Sequence, residues 1–267
     1  MGAAKGRSRD GICLKSHAEI SKMRRAGAIV AEVLRRLEEA ATPGVTTAEL
    51  DELATDTIRT RGATPSFLGQ QVEHRRYPAS TCISINDEVV HGLPCTDRRL
   101  RGGDIAGIDV GACWDGYHAD AARTVAVGEI SAEARTLLDV TRNALQLAIA
   151  KAVPGGWLGD ISRAIQEHVE AAGFSVVRAL SGHGIGKSLW EAPQVHNFVI
   201  SGRDVRLRAG MTLAIEPMVN VGHWDVRPSA DMWTVRTADG SLSGHFEHTV
   251  AITKAGAEIL TADPHSQ

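Results

Sequence analysis

The stretch GDIAGIDVGACWDGYHADAARTVAV, residues 103–127, decides the fold. Two runs rich in strand formers flank Asp115-Gly116, a dipeptide that favours a two-residue hairpin turn because both of its positions tolerate positive φ. With that turn, pairing runs outward from Trp114 and Tyr117, so Asp109 opposes Ala122 and Asp120 opposes Gly111. Side chains alternate faces along a strand, which makes the two aspartates diagonal neighbours on one face, about 7–8 Å apart at the backbone. Both carboxylates can then reach one ion cluster.

Upstream, Ser16 with Glu19 forms a capping box, and Ile20, Met23, Val30, Val33, Leu34 and Leu37 follow at helical spacing until ATPG at 41–44. This predicts a helix over about 17–41. Thr46 with Glu49 opens a second helix ahead of Leu50, Leu53 and Ile58, and TCISI at 81–85 reads as a buried strand. Downstream of the hairpin, one helix is expected from Ser131 to the PGG at 154–156 and another from Asp160 to Gly173. FSVVRAL, MTLAIEPMV, MWTVRT and HFEHTVAIT follow as strand-like runs. The order helix, helix, strands thus occurs twice, over about 16–128 and 131–253, and predicts two similar halves closing around one site.

A chain of 267 residues that is 43% hydrophobic can build a sizeable core, and a net charge of −3 supplies no broad basic field for nucleic acid. Cys13, Cys82, Cys95 and Cys113 show no CxxC spacing, so reduced thiols in a cytoplasmic protein are expected. The first residues lack the apolar core of a signal peptide, and no run reaches the roughly 18 apolar residues of a membrane span. Residues 1–15 read as a flexible tail and 16–260 as a single catalytic domain.

Asp109, Asp120, His183, Glu216 and Glu247 are the polar residues that interrupt apolar strands or sit in glycine-rich turns. His183 lies in GHGIGKSLWEAPQV, residues 182–195, where glycines let the backbone approach a ligand closely. A carboxylate in a buried strand must be paired, protonated or metal-bound, and lysine or arginine partners are scarce in these runs. Four carboxylates and one imidazole form a hard donor set suited to two divalent ions, Mn, Fe(II), Co or Zn, and hence to metal-assisted hydrolysis. Taken singly, each acid reads first as a capping or solvated residue, and the spacing carries no short local metal signature.

The segments CISINDEVVHGLP, GDIAGIDV, DGYHAD, GHGIG, EAPQV, AIEPMV and FEHTVAIT, spanning about 82–252, resemble those of the type I methionine aminopeptidases in the same order. The resemblance implies the α/β (α+β) pita-bread fold, two pseudo-symmetric halves with a curved antiparallel sheet backed by helices. It implies metal-dependent removal of N-terminal methionine from peptides and nascent chains when the second residue is small. Its five ligands fall on Asp109, Asp120, His183, Glu216 and Glu247. Asp109 would hold one ion, His183 and Glu216 the other, and Asp120 and Glu247 would bridge. Glu216 would also move the proton of the nucleophile, His91 would stand beside the substrate amide, and Tyr77, Cys82 and Trp233 would line the methionine pocket. The last three also read as ordinary core residues. A monomeric cytoplasmic enzyme with transient ribosome association, and with no membrane or specific nucleic-acid partner, completes the expectation.

The chain departs from that family in two places. Trp190 stands where members carry a second histidine that contacts substrate, and an indole offers one N–H donor, no acceptor and no titratable proton. Residues 70–76, with Glu73, Arg75 and Arg76, lengthen the link between Leu68-Gly69 and Tyr77-Pro78 beside the expected pocket mouth. A specialised paralogue with reduced turnover is expected. A proline-directed aminopeptidase on the same scaffold, generally carrying a large extra N-terminal domain, and a non-catalytic peptide-binding relative are the rival readings. His118 is expected on the metal-facing side of its strand without an assigned task, and His248 on the opposite face. His74, His196, His223 and His245 carry no signal.

Overall fold

The hairpin of residues 103–127 is the spine of the first half of the molecule. In the computed structural model, which describes residues 11–72, 74–202 and 204–263, the strands Ile105–Trp114 and Tyr117–Ala126 pair antiparallel. Asp109 opposes Ala122 and Gly111 opposes Asp120, the register that an Asp115-Gly116 turn requires. Both turn residues have positive φ, 47° and 75°. Strand Thr81–Ile85 pairs along the other edge of Ile105–Trp114 and sets Cys82 directly opposite Asp109.

Helices α1 (His17–Ala40) and α2 (Thr47–Thr60) both begin with the expected capping boxes, on Ser16 and Thr46. Their apolar stripes, including Val30, Val33, Leu37, Leu50 and Ile58, pack on Ile83, Ile108 and Val110 of the sheet. Each such side chain contributes about 1.5–3 kcal/mol on burial, which fixes the sheet against the helices.

The second half repeats the plan. Helices α3 (Ala132–Lys151) and α4 (Leu158–Ala171) cover a five-stranded sheet ordered Glu191–His196, Ser181–Gly184, Thr212–Ile215, His248–Thr253, Gly256–Ile259. Leu137, Leu145, Ile161 and Ile165 meet Leu213 and Val250 in its core. The halves are joined at more than one place: strand Glu88–Val90 of the first pairs antiparallel with Val235–Thr237 of the second, and a further seam runs beside the hairpin. The Glu247 amide donates to the Ala122 carbonyl at 2.9 Å, and the Thr124 hydroxyl donates to the His245 carbonyl at 2.8 Å.

Several expected boundaries shift. Helix α4 opens at Leu158, with Asp160 in its first turn, because the Asp160 carboxylate accepts from the Trp157 amide and closes the helix start two residues early. FSVVRAL yields only Ser175–Val176 as strand. MTLAIEPMV splits into Thr212–Ile215 and Met218–Asn220, and HFEHTVAIT follows a short strand ending at His245 before His248–Thr253. Pro217 has no N–H to continue a ladder, and the pieces on either side of each break pair in different sheets. Glu216 and Glu247 therefore occupy breaks between strands rather than strand interiors.

The tail boundary at residue 15 also changes. Residues 1–10 lie outside the described residues, but Ile12 is buried in the core of the second half. The Lys15 amide donates to the Gly210 carbonyl at 2.7 Å, and its ammonium is buried against the Glu191 carboxylate. Burial and pairing hold this segment down. At the other end Leu260 and Thr261 are buried, so packing continues just past residue 260. Among the described residues, no helix is long and apolar enough to cross a membrane, and all four cysteines are free thiols.

Candidate metal centre

Between the two halves lies a cavity of about 870 Å³ lined by all ten of the expected site residues: the five donors together with Tyr77, Cys82, His91, Trp190 and Trp233. Asp109 and Asp120 come from the first sheet, and His183 from strand Ser181–Gly184 of the second. Glu216 and Glu247 come from the two strand breaks. Donor atoms of Asp120, His183 and Glu247 lie within 4.8 Å of one another, and His183 Nε2 is 3.7 Å from Glu216 Oε1.

His183 is held by backbone geometry on both sides. Its Nδ1 is 2.9 Å from the Gly184 carbonyl, which can only accept, so the proton sits on Nδ1 and the Nε2 lone pair faces the cluster. The flanking glycines serve strand packing. A Cβ on Gly182 would meet the Ala214 carbonyl oxygen at 2.4 Å, and one on Gly184 the Ala192 carbonyl oxygen at 2.3 Å. Only glycine lets three strands close here around the histidine.

The carboxylates are too crowded and too dry to ionise together unaided. Burial pushes Asp109 up to about 7, with the nearby Glu216 adding to the rise, and burial likewise takes Glu216 to about 7 against the opposing pull of His183. Asp120 and Glu247 are pushed well above the usual carboxylate range by burial first and by the neighbouring carboxylates second. Asp109 Oδ1, Asp120 Oδ1 and Glu247 Oε1 are buried with no hydrogen-bond partner. Buried orphan oxygens converging from two sheets, with an imidazole lone pair beside them, fit divalent cations.

His245, which carries no signal in sequence, belongs to this cluster. It is buried, its Nε2 has no hydrogen-bond partner, and it lies 3.6 Å from Glu216 Oε2. No local signal could have found it, because the strand ends at His245 and alternation does not carry through the break to Glu247. His118 is not among the cavity-lining residues; its Nδ1 is 2.8 Å from the Ser66 hydroxyl. His248 points away, its Nδ1 2.9 Å from the Thr261 hydroxyl.

His91 lines the cavity at φ 59°, and burial, helped by His245 nearby, lowers its pKa to about 4, so it is neutral near pH 7. Cys82 reaches the cavity because its cross-strand pairing with Asp109 places both side chains on one face. Tyr77 stands edge-on to Trp233 with ring centroids 5.2 Å apart and donates its hydroxyl to the Thr81 carbonyl at 3.0 Å. Trp190 is half exposed at the mouth. Within the 70–76 segment, Gln71–Val72 and Arg75–Arg76 form a small hairpin. Gln70, Val72 and Arg75 line the cavity, whereas Arg76 does not; Glu73 lies outside the described residues.

Residues 21–254 match the model of metallopeptidase family M24. The chain belongs to that family. It is 52% identical over 250 residues to a methionine aminopeptidase of Clostridium acetobutylicum, covering 94% of this chain and 98% of that protein. A methionine aminopeptidase of Escherichia coli K12 is 44% identical, covering 94% of each chain. The solved methionine aminopeptidase of Thermotoga maritima superposes with a TM-score of 0.91 at 45% identity, over 94% of this chain and all of that one. At this identity and coverage the chain belongs with the methionine aminopeptidases of that family, as its motifs imply, and shares their pita-bread fold. The prolidase of Pyrococcus furiosus, at 24% identity and a TM-score of 0.76, shares the fold alone.

Proposed function

We propose that this M24 member is a dinuclear metal-dependent aminopeptidase, over a single catalytic domain, that releases the N-terminal methionine of peptides and nascent chains whose second residue is small. The observation that carries the reading is the convergence of Asp109, Asp120, His183, Glu216 and Glu247, with three orphaned carboxylate oxygens, in one cavity beside an aromatic-walled pocket. Asp109 would hold one ion, His183 and Glu216 the other, with Asp120 and Glu247 shared. When bound, such ions supply Lewis acidity at the scissile carbonyl and lower the pKa of the attacking water.

The chain's own residues do the rest. Tyr77, Cys82 and Trp233 enclose an unbranched apolar side chain and exclude water around it. Neutral His91 offers one ring N–H to the substrate carbonyl or one lone pair to its amide. Glu216, with one oxygen toward His183 and the other toward His245, takes the proton of the attacking water and returns it to the amine as the C–N bond breaks. Mn, Co, Fe(II) or Zn suits this donor set. A cytoplasmic monomer that meets nascent chains at the ribosome is the setting that the reading implies.

The test is release of free amino acid from Met-Ala, Met-Gly and Xaa-Pro peptides with Mn, Co or Fe(II). Cleavage of Met-Ala and Met-Gly ahead of Xaa-Pro is expected. No metal-dependent cleavage of any Met-peptide, or a preference for Xaa-Pro, contradicts it.

A further inference from the structure

The mouth of the cavity carries apolar groups that neither the five donors nor the methionine pocket uses. Trp190, Met232 and Val72 are 49%, 58% and 41% exposed, and all three line the cavity. The pocket residues Tyr77 and Cys82 are only 5% and 4% exposed. One cavity therefore has a dry inner end and an apolar, solvent-facing lip.

The lip is built. Met232 sits at φ 65°, a left-handed conformation that costs a residue with a side chain about 1–2 kcal/mol. Two hydrogen bonds of its own backbone and the turn closed by the preceding Asp231 fix it there. Its amide donates to the Ser229 carbonyl at 3.0 Å, and its own carbonyl accepts from Arg75 Nη1 at 3.3 Å. The Asp231 carboxylate accepts from the Trp233 and Thr234 amides, each at 2.8 Å. Arg75 also stands 5.7 Å over the Trp233 ring, and its backbone is the cross-strand partner of Val72, so the hairpin that carries Val72 is tethered to Met232 through the Arg75 side chain. Exposed apolar side chains held in place at a cavity mouth mark a binding surface.

The occupant follows from the direction of the substrate. An aminopeptidase takes the first residue into the inner end, so the peptide beyond the cleaved bond leaves through the mouth, advancing about 3.3 Å per extended residue. We propose that Trp190, Met232 and Val72 bind the side chain of the substrate's third residue and favour an apolar one. This rests on the Met-peptide reading above. The rim offers an indole, a thioether and an isopropyl group; among the described lining residues, the Arg75 guanidinium is already engaged by the Met232 carbonyl and the Trp233 ring, and the Glu191 carboxylate by Lys15.

The experiment compares kcat/KM on Met-Ala-Leu, Met-Ala-Phe, Met-Ala-Gly and Met-Ala-Asp for the native chain, Trp190→Ala and Met232→Gly. Glycine adopts φ near 65° without strain and Trp190 is solvent-facing, so both variants are expected to fold. Leu and Phe should exceed Gly by about fivefold, chiefly through KM, and the ratio should fall to about twofold or less in each variant. Equal kcat/KM for Leu and Gly in the native chain, with Met-Ala still cleaved, overturns the rim and leaves the activity standing. No cleavage of any Met-peptide overturns the activity and the rim together. A concentration-dependent dimer that Trp190→Ala abolishes, with a flat third-residue profile, assigns the patch to a second copy and also overturns the proposal.

Discussion

Thr249 makes a two-way hydrogen bond with the backbone of Asp120: its hydroxyl accepts from the Asp120 amide at 2.9 Å and donates to the Asp120 carbonyl at 2.8 Å. Asp120 belongs to the first half and Thr249 to the second. Two residues on from Asp120 and two before Thr249, the Glu247 amide bonds the Ala122 carbonyl. This seam sets the Asp120 and Glu247 carboxylates side by side, so the distance between the two donors that bridge the halves depends on a hydroxyl that touches neither carboxylate.

Thr249→Val keeps the shape of the side chain and leaves the buried amide and carbonyl of Asp120 unpaired. Loss of about 1–3 kcal/mol in stability is expected, together with weaker metal binding. Thermal unfolding and Mn(II) titration calorimetry check this, and Thr249→Ser should restore both. An unchanged metal affinity in Thr249→Val would separate the seam from the site.

Trp190→His replaces a half-exposed indole, which has one donor, with a smaller ring that can donate, accept and titrate. Turnover of Met-Ala should rise by about tenfold or more, within what one well-placed hydrogen bond contributes to a transition state. Steady-state kinetics on the two chains at a fixed metal concentration decides it, and equal or lower kcat would show that the indole does not limit this enzyme.

Gly182→Ala drives a methyl group to 2.4 Å from the Ala214 carbonyl oxygen and toward Glu216 Cγ. The strand carrying His183 must shift, at a cost of about 1–3 kcal/mol. A lower Tm and lost metal affinity should appear together. Retained metal affinity would mean that His183 tolerates displacement of its strand.

His245→Ala removes the buried ring beside Glu216 Oε2. If His245 positions Glu216, kcat falls while the KM for Met-Ala stays near the native value. A fall in Tm alone, with kcat intact, would reduce His245 to packing.

Much of this was legible in the sequence, and the reasons differ by residue. Asp109 and Asp120 could be placed on one face because a two-residue hairpin turn fixes register locally, and the observed pairing is the one that Asp115-Gly116 dictates. The two helix starts at Ser16 and Thr46 were legible because a capping box is also local. That Cys82 faces Asp109 was not readable by pairing, since no tight turn joins their strands. The strand breaks at Glu216 and Glu247 were hidden for the same reason: each apolar run is continuous in sequence but divides between two sheets. Ile12 and Lys15 read as tail because their partners, the second-half core and Glu191, lie far along the chain.

On the proposed reading, five residues from two half-domains hold divalent ions for the cleavage of a Met-peptide. This is tested most directly by stripping the protein with a chelator and following methionine release from Met-Ala as Mn(II) is added back, beside Glu216→Gln. Release should be absent in the stripped protein, return with added Mn(II) in the native chain, and stay at least about a hundredfold lower in Glu216→Gln, the size of effect expected from losing a proton-transfer group. Release that persists without metal, or that survives in Glu216→Gln, would contradict the account.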